Sequence, residues 1–236
     1  MSTQTAAWTA PAPAGPGERL RERKKRLMRQ QLSDTATAMF LDQGFDAVRV
    51  AEVAEACGVS EKTVFNYVPT KESLVLDRLQ TTVESLQAGL ADPAIAPVQA
   101  ALAILDRELT GMTAWLAAQD DPGRAGQAIR RFGDLIRVTP SLRAYQSDMM
   151  SQFVSVAAEI LAARAGMSAG DPEPQIAARA LLGLWHVQAE SLRTHLDGVR
   201  TPAQVHQMVT ADVRRAARLI DAGLRSFALA LPEPPA

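Results

Sequence analysis

Val50–Tyr67 reads VAEVAEACGVSEKTVFNY, which has the spacing of two short helices joined by a tight turn. Ala54 is small where the two helices must cross closely, and Gly58, four residues on, supplies the positive φ that the turn demands. Val53, Val59 and Val64 can form a small core shared by both helices. Ser60 is placed to cap the second helix, accepting from a backbone N–H of its first turn. Ala-x-x-x-Gly alone arises by chance in any alanine-rich chain, so the flanking residues decide the reading.

Downstream, Pro69 stops the second helix, because it has no N–H and disfavours a helical residue before it. Thr70 can cap a further helix opening at Lys71-Glu72 and running to about Gly89. Upstream, Leu32, Ala36, Met39 and Phe40 mark one face of a helix. That helix ends at Gly44, with Phe45 supplying the apolar contact such an ending uses. Before it, residues 18–29 (ERLRERKKRLMR) carry seven basic and two acidic side chains, a local +5. The net charge of the chain is −1, so everything else sums to −6. Such segregation suits an anion-binding end on an acidic body, and a solvated helix face is the plain alternative. A hairpin buried in a larger bundle has no use for such a neighbour.

The 236 residues are 47% hydrophobic but only 5% aromatic, and alternating Val/Ile/Thr runs are rare. That balance favours an all-α fold. The single Cys57 excludes an internal disulfide. No apolar run reaches the length of roughly 18 residues that spans a bilayer. The opening MSTQTAAWTAPAPAGPG lacks the basic and apolar regions of a secretory signal, so a cytoplasmic protein is expected.

The stretch Val50–Leu74, with Phe40 and Gly44-Phe45, resembles the tetracycline-repressor-like (TetR) family of bacterial transcription regulators. The resemblance covers about residues 27–76. Its carriers are the family's small-Gly-Val-Ser-x-x-Thr, here Cys57–Thr63, and its aromatic-x-aromatic followed by Lys-Glu, here Phe65-Asn66-Tyr67 and Lys71-Glu72. It implies that Ser60–Tyr67 is a recognition helix whose first turn enters the major groove. Thr63 and Tyr67 match positions that bond phosphate. Lys71 matches a phosphate clamp assisted by the amides of a helix start. Glu61, Lys62 and Asn66 match the base readers: lysine can reach guanine, asparagine can pair with adenine, and glutamate can accept from cytosine. Three positions depart from the pattern. Phe65 stands in place of a common tyrosine and loses a hydroxyl, and Val68 replaces phenylalanine and lightens the small core. Arg49 replaces a capping threonine, which costs about 1 kcal/mol, although its guanidinium could reach the DNA backbone.

Beyond residue 80 further helices are expected at 97–119, 123–138, 141–165, 173–197 and 202–230, about nine in all. The expected organisation is a disordered arm at 1–17, a DNA-binding domain at 18–80, a ligand-binding and dimerisation domain at 81–231, and a tail at 232–236. Val205, Val209, Val213, Ala216, Ile220, Leu224, Phe227 and Leu231 form a long apolar stripe, which needs a partner along its length. It is expected to pair with Ile176, Ala180, Leu184 and Val187 and to build a homodimer from the helices near 173–197 and 202–230. Packing within the chain is the alternative. Met112, Trp115, Phe132, Met149, Phe153, Trp185 and His186 (with Met150 beside them) are candidate pocket residues, by the family's habit of lining a cavity for an apolar or amphipathic effector. Taken without the resemblance, such side chains read as core. Arg131, Tyr145, His186 and Gln188 are the polar groups that could orient a ligand. His186, His195 and His206 are too scattered for a metal site, and neither a phosphate loop nor a nucleophile elbow is present. No cofactor, catalysis or membrane is expected. The expectation is therefore a homodimeric repressor, bound to double-stranded palindromic DNA and released by a small molecule. The competing class is an all-helical enzyme or small-molecule-binding protein that does not touch DNA.

Overall fold

The computed structural model describes residues 20–76 and 80–228, with side-chain surroundings over 23–76 and 84–223. The expected arm at 1–17 and the tail at 232–236 lie outside the described residues. Ten helical segments and no strand are found among those residues. They are α1 (Leu20–Gln43), α2 (Val50–Ala56), α3 (Glu61–Tyr67), α4 (Ser73–Leu76), α5 (Gln80–Ala91), α6 (Pro97–Ala117), α7 (Pro122–Val138), α8 (Pro140–Ala165), α9 (Pro172–His195) and α10 (Pro202–Ala228). The expected ninefold count treated 71–89 as one helix. Here α4 and α5 are the described parts of that stretch, on either side of residues 77–79, which lie outside the described residues.

Each of the five helices from α6 onward opens on proline. The first helical N–H has no partner inside its helix, and proline has none to leave unpaired. At α7 the Asp121 carboxylate accepts from Arg124 N–H at 2.9 Å. At α10, Thr201 and Gln204 form a reciprocal box: Gln204 N–H donates to Thr201 Oγ1 (3.3 Å), and Thr201 N–H donates to Gln204 Oε1 (2.9 Å).

Two hydrophobic cores result. The first joins Leu32, Ala36 and Phe40 of α1 to Val53, Ala54, Val64 and Val68. The Phe40 and Phe45 rings meet at 4.9 Å, and Gly44 N–H donates to Phe40 O at 2.9 Å. Phe132 and Ile136 of α7 and Leu142 of α8 close this core from beyond residue 80. The second, larger core is built from α5, α6, α8, α9 and α10.

The α10 stripe packs within the chain, on the expected α9 (Leu184, with Val187 beside it) and also on α6. Val205, Val209, Val213 and Ala217 are buried inside the single chain, against α6 and α9. Val205, Val209 and Val213 of the stripe are therefore sealed within the chain and are not themselves a surface for a second copy. Ile176 does not meet the stripe, since that side chain is 65% exposed on α9. Leu184 does join the same core, while Ala180 is half-buried. Leu224, Phe227 and Leu231 lie beyond the residues whose surroundings are described.

Candidate nucleic-acid interface

The turn between α2 and α3 forms as its residues dictate. Gly58 adopts φ +67°, and Val59 N–H reaches back to Ala54 O at 3.0 Å. Ser60 Oγ accepts from Thr63 N–H (3.1 Å) and lies 2.8 Å from Thr63 Oγ1. Val64 is fully buried and fixes one face of α3 to the reader core. A helix pinned on one side and carrying polar residues on the other must present that other side. Glu61, Lys62, Phe65 and Asn66 are exposed there, with Phe65 at 45%. Thr63 and Tyr67 are half-buried at its edges, and Tyr67 packs against the reader core.

Several side chains brace this surface in ways that only the folded chain displays. Arg29 Nε donates to the Tyr67 carbonyl at 2.9 Å, so a guanidinium from α1 satisfies an open carbonyl at the end of α3. Arg49 cannot cap α2 with a side-chain acceptor, and Glu52 supplies the missing contact instead. Its Oε2 accepts from Arg49 N–H at 2.7 Å, and its Oε1 lies 3.3 Å from Arg49 Nη2. The Arg49 N–H bond, helped by the adjacent guanidinium, holds the Glu52 carboxyl below the usual glutamate value. The signal was available, because Glu52 stands three residues after the cap position, where a capping box carries its acid. Arg49 itself remains exposed at the start of α2.

Lys71 has an occupation that its sequence context does not disclose. Its Nζ donates to Phe45 O at 2.5 Å and lies 4.4 Å from the Phe45 ring centroid and 5.5 Å from that of Phe40. The ammonium therefore ties the α1–α2 connection to the start of α4. Thr70 and Ser73 make the expected cap reciprocal: Ser73 N–H donates to Thr70 Oγ1 (3.1 Å) and Thr70 N–H to Ser73 Oγ (3.0 Å). On the basic helix, Arg23, Lys24 and Lys25 are exposed, whereas Arg19 and Arg21 lie outside the residues whose surroundings are described.

The seven candidate pocket residues divide between the two cores and the surface. Met112 and Phe153 are buried in the larger core, with Trp115, Met149 and Trp185 packed against it. Phe132 sits in the reader core, and His186 is exposed on α9. Most of these large side chains fill core, the ordinary use of methionine and aromatic residues. Trp185 Nε1 is held by Glu108 Oε2 at 3.1 Å. The polar candidates divide likewise. Arg131 Nη2 donates to Leu41 O at 3.0 Å, near the C-terminal end of α1, and Tyr145 packs on the reader core. Gln188 lines a groove of about 510 Å³ between α6, α9 and α10. The Glu190 carboxylate pairs with Arg193 at 2.8 Å rather than with His186. No group of three or more metal-ligating side chains occurs among the described residues, and no helix among them is long and apolar enough to cross a membrane.

A glycine-turned pair of short helices, with the second capped, pinned at its back and open in front, defines a helix-turn-helix protein. The comparisons are specific about which kind. The family profile of bacterial regulatory proteins of the tetR family matches residues 32–77, and that of the MftR C-terminal domain matches residues 112–228. The transcriptional regulator TcmR of Streptomyces glaucescens is 31% identical over 169 residues, covering 69% of this chain and 70% of that protein. The Mycobacterium tuberculosis regulator MftR, named for mycofactocin biosynthesis, is 28% identical over 162 residues, covering 69% of this chain and 78% of that protein. LuxR of Vibrio harveyi is 39% identical over a shorter 64 residues, covering 27% of this chain and 31% of that protein. The chain belongs to the TetR family of bacterial transcriptional regulators.

Proposed function

We propose that the chain is a homodimeric, non-enzymatic repressor that holds a palindromic double-stranded operator through α3 and releases it when a small apolar or amphipathic molecule binds behind residue 80. The observation that carries the reading is the exposed face of α3, with Lys62 and Asn66 outward and Val64 anchoring the helix from behind. In this reading Lys62, Asn66 and Glu61 read base edges in the major groove. Ser60, Thr63, Tyr67, Lys71 and Arg49 fix the register on phosphate, and the basic residues of α1 add attraction that is independent of sequence.

Residues 18–80 then read DNA, while 81–231 hold the two readers apart and sense the effector. Half-sites one helical turn apart require recognition helices held about 34 Å from each other. The α9–α10 pair supports that task by faces other than the buried stripe, since Ile176 and Leu219 remain 65% and 79% exposed on the single chain. The contacts across residue 80 favour transmission. Phe132, Ile136 and Leu142 join the core that α1 shares with α2 and α3, and Arg131 bonds the end of α1. A displacement of α7 therefore moves α1, and with it the core that seats α3.

Gel shift on DNA flanking the gene, repeated over a salt series, tests the reading. A regulator gives a retarded, sequence-selective species whose log affinity falls steeply with log salt. An all-helical enzyme or a binding protein of another class gives no selective species, and that outcome would overturn the proposal.

A further inference from the structure

The groove between α6, α9 and α10 has an apolar floor made of Leu105, Leu109, Val213 and Ala217. Gln188 is sunk in that floor at 7% exposure, bringing an amide that both donates and accepts. Thr210 lines the same wall, and its Oγ1 is buried without a hydrogen-bond partner. A mid-helix threonine ordinarily returns its hydroxyl to a carbonyl one turn back, as Thr113 does to Leu109 O at 2.9 Å. Thr210 does not, so its hydroxyl is uncommitted. A bound molecule in the groove that Thr210 lines can supply the missing partner.

The rim is of a different character. Arg214 and Arg218 stand one helical turn apart and exposed, with Asp106 on α6 and Asp221 further along α10. Two cations offset by two carboxylates suit a neutral polar or singly anionic end, and they disfavour a polyanion such as a polyphosphate. The groove's volume of about 510 Å³ falls within the range of roughly 300–1,000 Å³ for small-molecule pockets.

We propose that this groove is the effector site and that it takes a small amphipathic molecule. The ligand's apolar body lies along α6 and α10, a hydrogen-bonding group meets Gln188 and Thr210, and a polar or singly anionic end lies at Arg214 and Arg218. This rests on the reading of the chain as an effector-released regulator; of the residues that the sequence suggested, the site keeps Gln188 and leaves the seven apolar and aromatic candidates outside.

The test uses two fluorescent probes, phenylnaphthylamine and its sulfonated analogue anilinonaphthalene sulfonate, titrated into the full chain. Both are expected to saturate one site per chain. Ala103→Trp, an exposed position at the groove wall, should weaken both at least tenfold, and Gln99→Trp provides a second blocking variant. The pair Arg214→Gln and Arg218→Gln should weaken the sulfonate alone. Phe153→Leu, in the core, should change neither. Probe binding that responds to Phe153→Leu and ignores both tryptophans would overturn the assignment. So would a drop in sedimenting mass caused by those tryptophans, because the groove would then be a contact between copies of the chain. Gel shifts on the same variants without probe separate the two readings. If no variant or parent binds DNA, the regulator reading fails; if DNA binds and the probes ignore the groove, only the groove assignment fails.

Discussion

The Lys71 ammonium lies 2.5 Å from the Phe45 carbonyl and over the Phe45 ring, so one side chain both braces the reader and stands where DNA phosphate is expected. Lys71→Met keeps the stem and removes the charge. Losing a charged hydrogen bond and a cation–π contact at a half-buried site costs about 1–2 kcal/mol of stability. The same change should lower the salt slope of DNA binding by about one. Thermal melts and a salt series check both, and an unchanged melt with an unchanged slope would contradict the dual role. Asp212 is the second residue with a measurable signature. The Ser191 hydroxyl, foremost, then His195 and Arg215, hold its carboxyl below the usual aspartate value. A depressed folded-state pKa gives stability that is present above the unfolded value and is lost as pH falls through the folded one. Asp212→Asn should therefore be less stable than the parent at neutral pH, with the gap in denaturation midpoint closing below about pH 4. A gap that stays constant down to pH 3 would contradict it. Ser60, Thr70 and Gly58 were legible in the sequence because capping and positive φ are local demands. The partners of Lys71, Arg29 and Arg131 were not, since each bond spans 26 residues or more.

Helices were legible as elements wherever a local rule governs them, and less so where partners matter. Prolines were read as punctuation between helices, and the structure turns them into first residues, so α7, α8 and α9 each begin one position earlier than expected. The α10 stripe has a clear period and finds its expected neighbour α9, but periodicity does not disclose that α6 shares it within the same chain. At this scale Arg131 is the testable link between α7 and α1. Its guanidinium satisfies Leu41 O, one of the last carbonyls of α1, which have no partner inside that helix. Arg131→Met should leave operator affinity within about threefold, since the bond is exposed. It should also raise the effector concentration needed for half release. Release at the parent's concentration, measured by fluorescence anisotropy on labelled operator, would remove Arg131 from the coupling.

Across the whole molecule, the reader and the larger core share a boundary that is packed rather than hinged on a bare linker. Phe132, Ile136 and Leu142 belong by sequence to the C-terminal part and by contact to the reader core. On the proposed reading, that packing is the route by which a ligand in the α6–α9–α10 groove acts on α3, and it could not be read from residues more than 60 positions away from α2. The two-reader geometry rests in turn on α3 facing outward in each protomer. Binding of the parent and of Asn66→Ala should therefore be measured across a library of operators varied one base pair at a time. Protection is expected over two half-sites, and Asn66→Ala should lose discrimination at one symmetric position, by about 1–3 kcal/mol. An equal loss of affinity on every sequence, with no position relaxed, would mean that α3 does not read the groove.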